Sequence, residues 1–169
     1  MTKKITIEII KREKKWSEHK FISKKFIKKI VSIFLENSVY MNKAKSVEMT
    51  CLLTDNKEMR DLNMRFLGKD KPTNVLSFPD RELDYKTNTQ EDFEGEVILG
   101  DVAFGLEITE EEAKEFGISV QNHFTHLLFH AILHLVGFDH ENEEDHEIMK
   151  TLETTLLRKL DINRPSIYA

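Results

Sequence analysis

A chain of 169 residues is long enough for one domain with a hydrophobic core and too short for two domains to be assumed. Its formal net charge of −5 argues against a uniformly basic nucleic-acid-binding protein. Cys51 is the only cysteine, which excludes an intrachain disulfide and a metal site built on several thiolates. Any metal ion must therefore be bound by nitrogen and oxygen ligands.

The N-terminal residues are charged and lack the apolar stretch of a signal peptide. No apolar run approaches the roughly 20 residues that cross a bilayer. We therefore expect a cytoplasmic protein without membrane contact. Lysine and arginine dominate residues 3–45, so a local basic face could still meet phosphate, although a solvated helix face explains the same pattern.

The first half of the chain alternates between strand and helix patterns. Asp55 is a candidate N-cap, and Pro79 closes a short apolar run. In chain order the predicted elements are a strand at 5–10, a helix at 20–37, a strand at 46–53, a helix from Asp55 to about Phe66, and a strand at 74–79.

The second half begins with a polar stretch at 81–95, which we expect to be an exposed loop, and a strand at 95–104 interrupted at Gly100. Thr109 and Glu112 predict a capping box for a short helix over 108–116, and Ser119 can cap the next helix. A last helix is predicted with one apolar face made by Ile148, Leu152, Leu156 and Leu160. The pattern is that of an α+β fold: one domain over residues 1–169, with a mixed four-stranded sheet covered by about five helices.

Six of the seven histidines lie between His123 and His146. On a helix, His130 and His134 project about 40° apart on one face and about 6 Å apart along the axis. Gly137 can take the left-handed conformation that ends a helix, and His140 can then return to the same point. The pattern HxxxHxxGxxH therefore predicts a metal site with three histidine ligands on a zincin-like helix.

Three neutral imidazoles suit one zinc ion per chain and leave a fourth position for water. A zinc-bound water with a lowered pKa predicts hydrolysis. The alternative is that His130, His134 and His140 are ordinary core histidines. Each would then need a hydrogen-bond partner within an apolar helix, because burying a polar group without one costs about 2 kcal/mol. His123 and His126 lie on nearly the same face; we expect them to be partly exposed or bonded to neighbours and assign them no role.

Spacing alone leaves the class of hydrolase open. Zinc proteases with a similar layout carry a glutamate after the first histidine as general base, where this chain has Ala131. Asp139, Glu141 or Asp101 could substitute, so a protease-like hydrolase stays an alternative. A non-catalytic zinc closed by Asp139 or His146 as fourth ligand is another.

Three blocks of the sequence carry a resemblance: HAILHLVGFDHE at 130–141, KDKPTNVLSFP at 69–79 and LGDVAF at 99–104. Their order and spacing resemble the YbeY family of bacterial endoribonucleases. The resemblance implies a cytoplasmic, single-strand-specific, zinc-dependent endoribonuclease acting in 16S rRNA 3′-end maturation and ribosome quality control. It implies zinc held at His130, His134 and His140, and association with the small ribosomal subunit.

The chain departs from the family pattern at two positions. Ala131 stands where many members have glycine, a small-for-small change. Leu67 stands where the family commonly has an arginine thought to contribute to activity. Arg65 is the nearest replacement, but two residues away on a helix it points to a different face unless the helix end is unwound near Gly68.

The block at 69–79 also has a physical interpretation. A strand that ends at Pro79 is typical of a sheet edge, where donors and acceptors are free. Lys69, Lys71 and the hydroxyl of Ser77 could hold a single RNA strand beside the zinc site. The alternative is a turn and strand that serve packing alone. The protein base of the reaction is not identified; Asp139 and Arg65 are the weak candidates for a catalytic role.

Overall fold

A four-stranded sheet lies at the centre of the fold, with five α-helices around it in the computed structural model, which describes residues 2–165. This confirms the predicted α+β class. Two short 3-10 helices, Lys14–Glu18 and Gln90–Phe93, complete the regular structure of this range. The main elements are β1 (Lys4–Lys11), α1 (Lys24–Glu36), β2 (Ala44–Thr54), α2 (Asn56–Leu67), β3 (Val75–Pro79), β4 (Gly95–Gly105), α3 (Leu106–Phe116), α4 (Val120–Leu135) and α5 (Glu143–Arg158).

The sheet is mixed, as predicted, with the strand order β1-β2-β4-β3. β1, β2 and β4 are parallel, while β3 pairs antiparallel with β4 at the sheet edge. The predicted interruption at Gly100 is a register shift within a continuous strand. Gly100 has φ +133°, and a Cβ there would lie 2.2 Å from the Phe78 carbonyl oxygen, so the bulge requires glycine.

The two faces of the sheet are covered differently. On one face, Val102 and Phe104 of β4 belong to the main core with α1, α4 and α5, and Phe104 stacks on Phe124 of α4 at 4.4 Å. On the other face, Ala103 packs with Met59 of α2 in a smaller cluster. α4 therefore lies on the opposite side of the sheet from α2. No helix within residues 2–165 combines the length and hydrophobicity that crossing a bilayer requires.

Three sequence-based expectations need correction. The capping box at Thr109 is wrong, because α3 already begins at Leu106 and the buried Thr109 hydroxyl donates to the Gly105 carbonyl at 2.7 Å. The first helix begins later than predicted, at Lys24, with Ser23 as its N-cap. The buried face of α5 is formed by Met149, Leu156 and Leu157 together with Asp145 and Glu153, whereas Ile148 is only partly buried.

Candidate metal centre

Helix α4 and the turn after it bring three histidines together. Ser119 caps the helix as predicted, accepting a hydrogen bond from the backbone N–H of Asn122. After Val136, Gly137 adopts φ +102° and the chain turns back. One nitrogen each of His130, His134 and His140 then lies within 4.8 Å of the other two, so that the three could hold a metal ion.

The hydrogen bonds of two of these imidazoles fix their tautomers. Nδ1–H of His134 donates to the Phe138 carbonyl at 2.9 Å, and Nδ1–H of His130 donates to Oε2 of Glu153 at 2.8 Å. Both Nε2 atoms then carry lone pairs, and they face each other at 3.0 Å. Two facing lone pairs repel unless a cation lies between them, so the donor set fits a metal ion.

The protonation state of His134 also suits a ligand. Burial, together with the neighbouring imidazoles of His130 and His140, lowers the pKa of His134 to about 4. His134 is therefore neutral at physiological pH, with its Nε2 lone pair available. Neutral imidazole is the form of histidine that binds metal ions.

Glu153 of α5 is a residue of this site that the sequence analysis missed. Its carboxylate is 3% exposed and accepts hydrogen bonds from Nε2 of His126 at 2.5 Å, Nδ1 of His130 at 2.8 Å and Nε of Arg164 at 3.2 Å. Burial alone would raise the pKa of Glu153, but the bonds from His126 and His130 hold it well below its usual range. The ionised carboxylate orients His130, as second-layer carboxylates do at zinc sites.

His123 and His126 are both buried, so the expectation that they are partly exposed is wrong, whereas bonding to neighbours is confirmed. Nε2 of His123 lies 3.0 Å from Oε1 of Glu112 in α3, and His126 lies against Glu153. Burial lowers the pKa of His126, although Glu153 opposes this shift. Neither belongs to the three-histidine group.

A cavity of about 220 Å³ lies beside two members of the three-histidine group. His130 and His140 line it together with Asn74, His146, Lys150 and Arg164. Glu153 is the only carboxylate among its described lining residues, and both of its oxygens already accept hydrogen bonds. Neither Asp139 nor His146 joins the potential ligand group within residues 2–165, so that group has three members and an open side.

Comparisons with known proteins show the family of the chain. The family model described as Endoribonuclease YbeY matches residues 9–161. The chain belongs to the YbeY family. Endoribonuclease YbeY of Chelativorans sp. (strain BNC1) is 48% identical over 117 residues, which cover 69% of this chain and 68% of that protein. Family membership assigns the chain to the endoribonucleases, which are hydrolases of RNA, with a role in rRNA processing.

A solved structure also shares the fold. The solution structure of TM1509 from Thermotoga maritima superimposes with a TM-score of 0.53, at 24% identity, covering 92% of this chain and 91% of that one. At this identity the likeness concerns the fold alone. It agrees with the fold of this chain, a four-stranded mixed sheet with five helices.

The polar stretch at 81–95 braces the turn that carries His140, so its description as an exposed loop is wrong in part. The Tyr85 ring stacks on Phe138 at 4.7 Å, and Nδ2 of Asn88 donates to the Val136 carbonyl at 2.7 Å. A Cβ on Gly137 would lie 2.7 Å from the backbone of Leu83. Gly137 is therefore required both by its positive φ and by this close approach.

Neither of the two weak catalytic candidates lines the histidine pocket. Oδ1 of Asp139 accepts from the backbone N–H of His140 at 2.7 Å, which stabilises the turn. Arg65 lies in the last turn of α2 and lines a separate cavity of about 300 Å³ with Arg12 and Asp61. α2 ends without unwinding before its C-cap at Gly68. Arg65 therefore does not line the histidine pocket.

The predicted RNA-contacting residues are distributed around β3. Lys69 and Lys71 are exposed in the segment after α2, where Asn63 holds the Lys71 carbonyl at 2.8 Å. The hydroxyl of Ser77 donates to the Ala131 carbonyl at 3.1 Å and so ties β3 to α4. None of the three lines the histidine pocket, but Asn74 in the same block does. Asp101 and Glu141 are exposed and do not line it either.

Proposed function

We propose that the protein is a zinc-dependent endoribonuclease that cleaves single-stranded RNA in 16S rRNA 3′-end maturation and ribosome quality control, in the cytoplasm and in association with the small ribosomal subunit. The observation that carries the metal assignment is the pair of Nε2 atoms, of His130 and His134, that face each other with fixed tautomers beside His140. Membership of the YbeY family supplies the substrate class.

When bound, zinc would lower the pKa of a water molecule and polarise a phosphate oxygen. His130, His134 and His140 would hold it, which makes three ligands and leaves one tetrahedral position for reaction. Glu153 keeps His130 in the required tautomer, and the Phe138 carbonyl does the same for His134. Both acceptors therefore orient an imidazole, and the Glu153 carboxylate also brings a negative charge close to the site.

Approach of the substrate is supported by the charge around the pocket. Lys150 and Arg164 lie at its wall, and the exposed His140 lies at its open side. Lys69 and Lys71 are exposed in the segment that precedes Asn74 and the edge strand β3. We include these lysines and the acceptor oxygen of Ser77 as RNA contacts of this proposal.

The two alternatives from the sequence lack support in the site. A protease would need a free carboxylate near the ion, and Ala131 is fully buried where that glutamate would stand. A closed structural zinc would need a fourth protein ligand, and the potential ligand group within residues 2–165 has three members. Nuclease activity is the function that this geometry supports best.

Metal analysis combined with RNA cleavage tests the proposal. We expect one zinc ion per wild-type chain and cleavage of single-stranded RNA in preference to a duplex, with loss of both metal and cleavage in His134→Ala. Chelation should abolish wild-type cleavage, and zinc should restore it. Equal cleavage by wild type and His134→Ala would contradict the proposal. Product ends identify the nucleophile, because attack by the 2′-hydroxyl leaves a 2′,3′-cyclic phosphate and attack by water does not.

The lysine contacts have their own test. We expect a Lys69→Ala, Lys71→Ala double variant to bind single-stranded RNA more weakly and with a smaller salt dependence than wild type. The matched control is Lys28→Ala, Lys29→Ala, which removes the same charge from the exposed face of α1. Binding and salt dependence equal to wild type in the first variant would remove Lys69 and Lys71 from the RNA contact surface.

A further inference from the structure

A row of side chains leads away from the histidine pocket along α5. Lys150, Thr154 and Arg158 follow one another at four-residue spacing, so each is about 6 Å further along the axis and about 40° around it. Lys150 lines the histidine pocket. It also lines a second cavity of about 250 Å³, which the row shares with the segment from Ile162 to Pro165. The two cavities therefore adjoin at Lys150.

The second cavity is basic in a chain whose net charge is −5. Lys150, Arg158 and Arg164 line it, and no carboxylate does among the described residues. Nε of Arg164 forms an ion pair with Oε1 of Glu153 at 3.2 Å. Lys150 and Arg158 form no ion pair with any residue from 2 to 165, and both reach solvent. Their charges are available to an anionic ligand.

The charge distribution of α5 gives this ligand a direction. The first turn of the helix carries Glu143, Glu144 and Asp145, which repel a polyanion, whereas the basic row lies towards the other end. An extended phosphate backbone that leaves the pocket is therefore favoured along Lys150 towards Arg158. These two residues are about 12 Å apart along the helix, so a backbone that reaches both must extend well beyond the reacting phosphate.

We propose that the RNA strand runs from the metal pocket along α5, with Lys150 and Arg158 binding phosphates on one side of the scissile bond. This inference rests on the proposed function and specifies its substrate path. The path is distinct from the segment with Lys69 and Lys71, which line neither cavity. Lys150 binds the phosphate of a nucleotide beside the reacting one, and Arg158 binds the phosphate of a more distant nucleotide. A short RNA can therefore contact Lys150 alone, whereas a long RNA also contacts Arg158.

The experiment compares a long single-stranded RNA with a dinucleotide as substrates of the full-length, metal-loaded protein. For Arg158→Ala we expect a several-fold higher KM on the long RNA, an unchanged kcat, and an unchanged KM on the dinucleotide. The slope of log(kcat/KM) against log[salt] on the long RNA should become shallower by about 0.7, as expected for one lost phosphate contact to a single strand. Arg158→Lys should keep the wild-type slope.

Lys28→Ala on α1 is the matched control, because it removes one exposed positive charge far along the sequence from α5. We expect it to behave as wild type on both RNAs. The proposal is overturned if Arg158→Ala matches wild type on the long RNA, or if Lys28→Ala causes the same loss, since net charge would then explain the effect. If the wild-type protein cleaves neither RNA, the proposed function itself fails.

Discussion

The two halves of α4 carry histidines of the same type on nearly the same face, yet they differ in chemistry. In the N-terminal half, His123 and His126 are buried and each points a ring nitrogen at a carboxylate, Glu112 or Glu153. In the C-terminal half, His130 and His134 point their Nε2 atoms at each other beside an open pocket. The neighbouring helices, rather than the histidines themselves, make this difference.

Glu153 connects the halves, because one oxygen accepts from His126 and the other from His130. A buried carboxylate needs several hydrogen-bond donors to stay ionised. His126 and Arg164 supply two of them, in addition to the bond from His130 that orients that imidazole. His126 therefore supports the three-histidine group through Glu153, even though it is not one of the potential ligands. His123 belongs to the packing of α3 on α4.

The largest difference between the halves should appear in metal content. We expect His130→Ala to lose the ion entirely, because a direct ligand disappears. This effect is larger than the loss of metal affinity, up to roughly 100-fold, that follows mutation of a residue that only orients a ligand. His123→Gln should keep one ion per chain and lose about 1–3 kcal/mol of unfolding free energy from its buried polar contacts. Metal analysis and thermal unfolding of both variants check this. Metal loss in His123→Gln would erase the distinction between the halves.

Glu153→Gln changes the residue that connects the two halves of α4. We expect zinc affinity to fall about 10- to 100-fold, because the neutral amide holds the His130 tautomer less firmly. A competition titration with a chelator of known affinity measures this. Glu147→Gln is the control: it makes the same change at an exposed position of α5 and should bind zinc as wild type does. Wild-type affinity in Glu153→Gln would show that His130 needs no carboxylate partner.

Gly137→Ala tests the turn that separates His134 from His140. We expect a loss of about 3 kcal/mol in unfolding free energy, from a positive φ and from a Cβ 2.7 Å from the Leu83 backbone. Zinc affinity should fall as well, because His140 shifts. Gly117→Ala is the control, since its φ is +68° but its Cβ would meet nothing within 4 Å, and about 1 kcal/mol is expected. Equal destabilisation of the two variants, by chemical denaturation, would contradict the close approach.

Tyr85→Phe should give the smallest effect. The Tyr85 hydroxyl donates to buried Asp145 at 2.6 Å, while its ring packs on Phe138. We expect a loss of about 1 kcal/mol in unfolding free energy with zinc content unchanged, because phenylalanine keeps the ring contact. Denaturation with and without zinc measures both quantities. A large drop in zinc content would mean that the hydroxyl, and not the ring, positions the turn.

The sequence predicted the three potential ligands because their arrangement is local: one helix, four-residue spacing and a glycine turn determine it. It also predicted the edge position of β3, since Pro79 is tolerated there. Glu153 was missed because its contact with α4 depends on how two helices pack. A signal was present, however, since Glu153 is a lone acidic residue between Met149 and Leu156 on the buried face of α5.

The bracing stretch at 81–95 could not be predicted from its polar composition. Its order comes from a few specific contacts, such as Asn88 with the Val136 carbonyl, that no periodicity encodes. Thr109 satisfied the spacing of a capping box, but the apolar Leu106 was already buried and extended α3 by one turn. Arg65 is two residues from Leu67, the position at which the family commonly has an arginine. On a helix this spacing directs Arg65 to another cavity.

X-ray absorption spectroscopy at the zinc edge of the metal-loaded protein determines whether histidines bind the ion. Three imidazole ligands predict nitrogen scatterers at about 2.0–2.1 Å with the outer-shell pattern of histidine rings, and one further light atom at the open position. Replacing His134 by alanine should remove this spectrum together with the ion. A wild-type spectrum without histidine scattering would contradict the claim that His130, His134 and His140 hold the metal.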